Sequence, residues 1–378
     1  MQQNDQKMPS SSGPRFPALD GLRALAILLV VGHHLAHYVS LDGKAAWFRA
    51  IVGTGWNGVY LFFVLSGFLV GGLALRELNE TGGLHLRRFW VRRLLRTWPL
   101  YFLLLFLNAI RHSGPIEPSL WHYLTFTQNL FSPKFFLVTW SLAVEEQFYF
   151  FLPLSLALLW KWKHGRIAGG LLFAALVIAT YLYRWIEGNG FYKFFHTFAV
   201  VDSLLLGYGL AYLHSREKLG WLLRHPNLYG AVGLVFVYGA HFTHWNRFWQ
   251  TNFLFGGQAI GFALLVGAAL SPRFLFRSWL SHRFLAWVAS LSFSIYLSHD
   301  KPLYYAARIA QYLGLEDWGL IVFLIPTVMA GSLLLAWVLY HAVEKPALKW
   351  RDRVCPKEIV SVSEKKRLQR LRTSAAKS

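Results

Sequence analysis

Cysteine is almost missing. The 378 residues hold one, Cys355, in a polar C-terminal stretch, which excludes intrachain disulfides and a thiolate metal site. Charge is scarce too, at 15% of residues, where soluble proteins carry about 25%. With 55% hydrophobic and 17% aromatic residues, the chain is too apolar for a soluble protein of this length. Acidic groups are the rarer charges, 18 against 38 basic ones, for a net charge of +20. A basic surplus suits nucleic acid when it gathers on one polar face or domain. Here it punctuates apolar runs instead, the pattern of cytoplasmic loops, so nucleic acid is not an expected partner. No internal repeat is visible. The first apolar run lacks a small-residue cleavage pattern and continues straight into "HHLAHY", so a cleavable signal is not expected.

What fills the sequence is a series of apolar runs of roughly 17 to 24 residues, the length that crosses about 30 Å of hydrocarbon. Ten spans are predicted: 22–40, 56–75, 94–110, 139–160, 167–186, 194–214, 226–243, 253–271, 284–304 and 319–342. The ninth is the least regular, because it ends in "SHDKPLY". With the N-terminus in the cytoplasm, the inner segments carry 27 lysines and arginines and the outer ones 7. Without the 11 in the tail, 16 still face 7, so both termini are expected in the cytoplasm. The longest outer segment, 111–138, is too short for a folded extracytoplasmic domain. The expected fold is all-α, a polytopic membrane helix bundle of about ten transmembrane helices. It divides into a cytoplasmic tail 1–21, a transmembrane domain 22–342 and a basic cytoplasmic tail 343–378 attracted to anionic lipid.

The run "LDGLRALAILLVVGHHLAHY", residues 19–38, carries charge where a plain anchor needs none. Arg23 and His34 are eleven positions apart, about 1100° of helical turn and ~20° from eclipsed, with roughly 16 Å between them along the axis. His33 falls about 80° away from Arg23. A lone arginine at a helix end is most simply a snorkelling, orientation-setting charge. A histidine inside a span is different, since ionisable groups there are costly and mark a pathway or site.

The fourth span holds "TWSLAVEEQFYFFLPL", with Glu145 and Glu146 near its outer end. His34 and Glu145 would both lie roughly 9 Å below the outer boundary. His299 of the ninth span would lie at a similar depth. Glu145 shares a helical face with Tyr149. A histidine and a carboxylate at one depth can act as a base and its orienting partner, or as a polar contact that locks helices together. In "HLRRFWVRRLLRTWP", residues 85–99, Arg93 and Arg96 are neighbours on one face. Arginine pairs bind phosphate through bidentate hydrogen bonds. Positive-inside charge accounts for Arg87, Arg88 and Arg92.

Taken in order, "LDGLRALAILLVVGHH", "GVYLFFVLSGFLV", "FWVRRLLRTWPLYFLLL", "TWSLAVEEQFYFFLP", "DSLLLGYGLAYL", "SFSIYLSHDKPL" and "YHAVEKP" resemble the acyltransferase 3 family of integral-membrane acyltransferases. They span residues 19–346. The resemblance implies a ten-helix domain in the bacterial cytoplasmic (inner) membrane. It would move an acyl group, commonly acetyl, from cytoplasmic acyl-coenzyme A to a hydroxyl of a glycan or related acceptor. Arg23 and His34 match the family's arginine and histidine of the first helix, and Arg93 and Arg96 its paired arginines. Trp140, Ser141 and Glu145 match its tryptophan–serine–glutamate signature. Asp20, Tyr149, Asp202, Tyr296 and His299 fall in matching stretches as supporting residues. Two positions depart from the pattern. His299 and Pro302 are three apart where the family often has two, and Val200 stands where it often has an arginine before the aspartate.

On this reading Arg23, Arg93 and Arg96 hold the coenzyme A phosphates at the cytoplasmic edge. His34 acts as general base on the acceptor hydroxyl or as a transient acyl carrier, and Glu145 holds its tautomer or stabilises its cation. The histidine spacings form no metal motif, and no metal is expected. The rival reading is a transporter or exporter that uses the same intramembrane charges for a proton or solute path.

Overall fold

Backbone groups surrounded by hydrocarbon must bond within their own segment, and all regular structure among the described residues is helical. The computed structural model describes residues 16–39, 46–131, 133–187, 194–239 and 247–356. The first fifteen residues, the basic tail beyond residue 356 and the ends of the first and seventh expected spans lie outside the described residues.

The chain runs through α1 (Pro17–Ala36), the short α2 (Ala46–Val52), α3 (Asn57–Thr81) and α4 (Leu86–Arg111). After α5 (Leu120–Leu124) come α6 (Trp140–Trp160), α7 (Gly165–Glu187) and α8 (Thr197–Ser215). Then follow α9 (Gly220–Arg224), α10 (Pro226–Gly239), α11 (Arg247–Leu270) and α12 (Arg277–Leu280). The last elements are α13 (Arg283–Ser298), α14 (Asp300–Tyr312), α15 (Asp317–Leu339) and α16 (Lys345–Val354). Pro17 opens α1 where its missing N–H would be unpaired anyway. Gly82 closes α3 in the left-handed region, at φ 74°.

Among the described residues, six stretches are long and apolar enough to cross a membrane: Pro17–Ala36, Trp47–Thr81, Leu137–Trp160, Gly165–Glu187, Thr197–Ser215 and Asp317–Val354. Leu254–Leu270 and Arg283–Ser298 are apolar but shorter. One sequence expectation needs correcting. The ninth span is not one helix, because α13 ends at Ser298 and α14 starts at Asp300, with His299 between them. Pro302 has no N–H to continue the ladder, and Asp300 favours a helix start.

In the segment 111–138, read from the sequence as an outer loop, the part from Tyr123 onward packs against the bundle. Tyr101 donates to the Tyr123 carbonyl at 2.8 Å, and Gln128 donates to the Thr139 carbonyl at 3.1 Å. Asn129 donates to Thr197 Oγ1 at 2.9 Å. Tyr123, Gln128, Asn129 and Thr139 are all buried. The buried polar groups of this segment bond to α4, α6 and α8 or to the turn ahead of α6, which offsets much of the cost of burying them.

At the centre, α3 and α8 meet backbone to backbone. A Cβ at Gly67 would collide with the Leu204 carbonyl oxygen, and one at Gly207 with the Val64 carbonyl oxygen. Small residues are what permit such an approach between helices in a membrane. α1 packs between α3 and α13, burying Leu22, Ala26, Ile27 and Val30. At the other end of the chain, α16 lies along the start of α4. Arg92 donates to Asp352 Oδ1 at 3.1 Å and to the Cys355 carbonyl, and Arg88 donates to the Pro356 carbonyl at 2.5 Å.

Candidate active site

Helical spacing of three and four residues sets one stripe of polar groups on each of several helices. Asp20 and Arg23 share a face of α1; Arg93, Arg96 and Thr97 share one of α4; Ser141, Glu145 and Tyr149 share one of α6. The packing turns these stripes towards one another around a cavity of about 450 Å³, which Ser66 of α3 and Tyr296 of α13 also line. Tyr149 donates to Glu145 Oε2 at 2.7 Å and accepts a short hydrogen bond from Ser66. Arg93 lies over the Tyr149 ring, 5.6 Å from its centroid. Arg23 has only Asp20 as an ion-pair partner among the described residues, at 3.5 Å, and Asp20 is half exposed. Arg96 has no hydrogen-bond or ion-pair partner among the described residues. Three guanidinium groups thus face two carboxylates, a surplus that suits an anion with several oxygens.

His34 does not line this cavity. Its Nδ1 lies 2.9 Å from the Val30 carbonyl and 3.2 Å from Nε2 of His299. Nδ1 of His299 lies in turn 2.9 Å from the Tyr296 carbonyl. A carbonyl only accepts, so both Nδ1 atoms carry protons in the neutral rings. Nε2 of His299 then accepts from His34, and Nε2 of His34 is left with its lone pair free. A chain of contacts links the pair to the cavity, because the Tyr296 hydroxyl is 2.5 Å from Ser141 Oγ. His299 is fully buried, at the break between α13 and α14. His33 points elsewhere and bonds the Gly53 carbonyl at 2.6 Å.

The structure therefore gathers Asp20, Arg23, Arg93, Arg96, Ser141, Glu145, Tyr149 and Tyr296 at one cavity, and joins His34 to His299 beside it. It does not make the expected contact between Glu145 and His34. Residue counts from the span ends place both at one depth only if the spans start in one plane. The inward fold of 112–139 ahead of α6 removes that condition. Trp140 and Asp202 do not line the cavity. Trp140 is packed against Phe63 and Phe195. Asp202 forms a buried ion pair with Arg184 of α7, at 2.8 Å. Arg184 thus supplies the cation that Val200 does not, from a neighbouring helix.

Sequence reasoning passed over Arg184, although a lone arginine inside the apolar run 167–186 was a visible signal. It also passed over Thr97, which donates to Glu146 Oε1 at 2.6 Å. Ser66 and Glu344 were missed as well. Glu344 is buried, accepts from Ser294 at 2.9 Å and lies within electrostatic reach of Arg96. A π-helical turn at Tyr340–Glu344 aims it inward, a feature that recurs at functional sites. No cluster of potential metal ligands occurs among the described residues.

Comparison with known proteins adds an independent line. Residues 16–341 match a family described as an acyltransferase domain. A Staphylococcus aureus protein provisionally named an O-acetyltransferase is 28% identical over 91% of this chain and 60% of its own length. A Bacillus subtilis protein provisionally named a peptidoglycan O-acetyltransferase is 28% identical over 88% of this chain and 54% of its own length. The peptidoglycan O-acetyltransferase of Listeria monocytogenes is 23% identical over 88% and 56%. The chain thus spans about 60% or less of the curated relatives it matches. No solved structure matches it significantly.

Proposed function

Because the chain belongs to this acyltransferase family, we propose that it is a membrane O-acetyltransferase, taking its acyl group from acyl-coenzyme A and placing it on a glycan hydroxyl. The names of its relatives make peptidoglycan the first acceptor to try. The single observation that carries this reading is the pairing of a three-arginine cavity with a histidine dyad beside it. Arg23, Arg93 and Arg96 would hold the donor's phosphates. His34 lies roughly 16 Å further along α1 than Arg23, a gap that the flexible arm between the phosphates and sulfur of coenzyme A would cover.

In the transfer step, Nε2 of His34 takes the proton of the acceptor hydroxyl as its oxygen attacks the thioester carbonyl carbon. The C–S bond breaks, and the proton passes to the departing thiolate. His299 accepts the Nδ1 proton of His34 and so holds the ring in the tautomer that leaves Nε2 basic. It also stabilises the imidazolium that forms, the role first expected of Glu145. Glu145 instead fixes Tyr149 beneath Arg93 and balances part of the arginine charge. On this proposal the chain crosses the membrane about ten times with both termini in the cytoplasm, so that donor phosphates stay on the inner side, a placement supported by the basic surplus of the inner segments.

The test is to supply membranes containing the protein with labelled acetyl-coenzyme A and to identify the labelled product. Label on a glycan hydroxyl supports the proposal. Binding of no coenzyme A by the intact protein would favour a transporter.

A further inference from the structure

A second cavity, of about 890 Å³, lies between α6, α7, α8, α9 and α11, away from the arginine cavity. Its inner part is apolar, lined by leucines of α3, α6, α8 and α11. Its rim is made by the turn between α6 and α7 and the turn between α8 and α9. That rim carries three cations, Lys163, Arg166 and Arg216, together with Trp160, Trp162 and Trp221. No carboxylate is among the described residues that line it. The three cations have no carboxylate partner among the described residues, and Arg216 lies over the Tyr212 ring at 5.5 Å. Glu217, the neighbour of Arg216, is outside the lining. Tryptophan at the rim marks the level of lipid headgroups. Gly170 keeps the wall of α7 low, since a Cβ there would meet nothing within 4 Å.

We propose that this cleft holds one anionic glycerophospholipid, its phosphate among Lys163, Arg166 and Arg216 and an acyl chain along the leucine floor. Basic pockets between helices select anionic headgroups, and an apolar floor needs an apolar occupant. A free phosphate would use the rim and leave the floor empty. The proposal does not depend on the acyl-transfer reading, since it shares no residue with that site.

The test is lipid retention. Protein stripped in detergent is offered an equimolar mixture of phosphatidylglycerol and phosphatidylcholine, and bound lipid is counted by native mass spectrometry. The parent protein should retain one phosphatidylglycerol, which excess inorganic phosphate fails to displace. The triple variant Lys163→Gln, Arg166→Gln, Arg216→Gln should bind it roughly a hundredfold more weakly. All three side chains are exposed, so the fold should survive, as size exclusion and thermal melting will show. Gly170→Phe sets a ring into the cleft from the α7 wall with the rim charges intact and should also lose the lipid. Equal retention of both lipids, or full retention by either variant, would overturn the proposal. Displacement by inorganic phosphate would overturn it too and leave a rim phosphate site instead.

Discussion

Replacing His299 with phenylalanine removes one hydrogen-bond acceptor from the ring of His34 and nothing from the arginine cavity. The bond is 3.2 Å long between neutral rings. It becomes charge-assisted when His34 takes a proton, and hydrogen bonds to a charged group contribute ~1.5–3 kcal/mol. In rate terms that is about a 10- to 150-fold fall in kcat. His34 keeps the Val30 carbonyl at 2.9 Å, so the loss should stop short of that in His34→Ala, where removing the base costs about 10²- to 10⁴-fold. The KM for acetyl-coenzyme A should stay within about twofold, because the proposed phosphate ligands are elsewhere. His299→Gln, whose side-chain oxygen can accept the same proton, should recover part of the rate. The assay is initial-rate transfer of labelled acetyl in proteoliposomes, with a melting curve for each variant. An unchanged kcat in His299→Phe, or a rise in KM alone, would refute the positioning role.

Arg93→Ala or Arg96→Ala should weaken coenzyme A binding about 10- to 100-fold by displacement of a labelled analogue, with lysine a partial substitute. His34→Ala should bind the donor almost normally and fail to transfer, whereas His33→Ala should keep most activity, since the His33 ring hydrogen-bonds only the Gly53 carbonyl among the described residues. Arg184→Met leaves the Asp202 carboxylate buried and alone, at a cost of about 3–5 kcal/mol, and should lower the melting temperature sharply. Arg184→Met with Asp202→Leu should regain much of that loss. A reporter placed after residue 378 should read as cytoplasmic, and an external reading would overturn the assigned orientation.

The helices were legible because hydropathy and a fixed rise per residue are local properties, and α3, α6, α7, α8 and α15 follow their predicted spans closely. The arginine half of the site was legible for the same reason. Arg93 and Arg96 face one way whatever surrounds α4, and Arg23 is the one cation early in α1. The partner of His34 was not legible. Whether Glu145 or His299 meets it depends on where α6 begins in depth and on how α13 ends. Those follow from the buried contacts of Gln128 and Asn129 and from the break before Pro302. The missing arginine beside Asp202 shows the same limit: the cation was sought on the aspartate's own helix, while the packing supplies Arg184 from α7.

The backbone contacts of Gly67 with Leu204 and of Gly207 with Val64 leave no slack for inheritance to explore. Ser66 precedes Gly67 on α3 and bonds Tyr149, which bonds Glu145. A methyl group added at Gly67 or Gly207 must push α3 and α8 apart, and Ser66 moves with its helix. In a saturation library scored for acetyl transfer, these two glycines should therefore tolerate substitution as poorly as His34, though neither lines the cavity. Sequence drift in this fold is then confined by a backbone contact as firmly as by its chemistry.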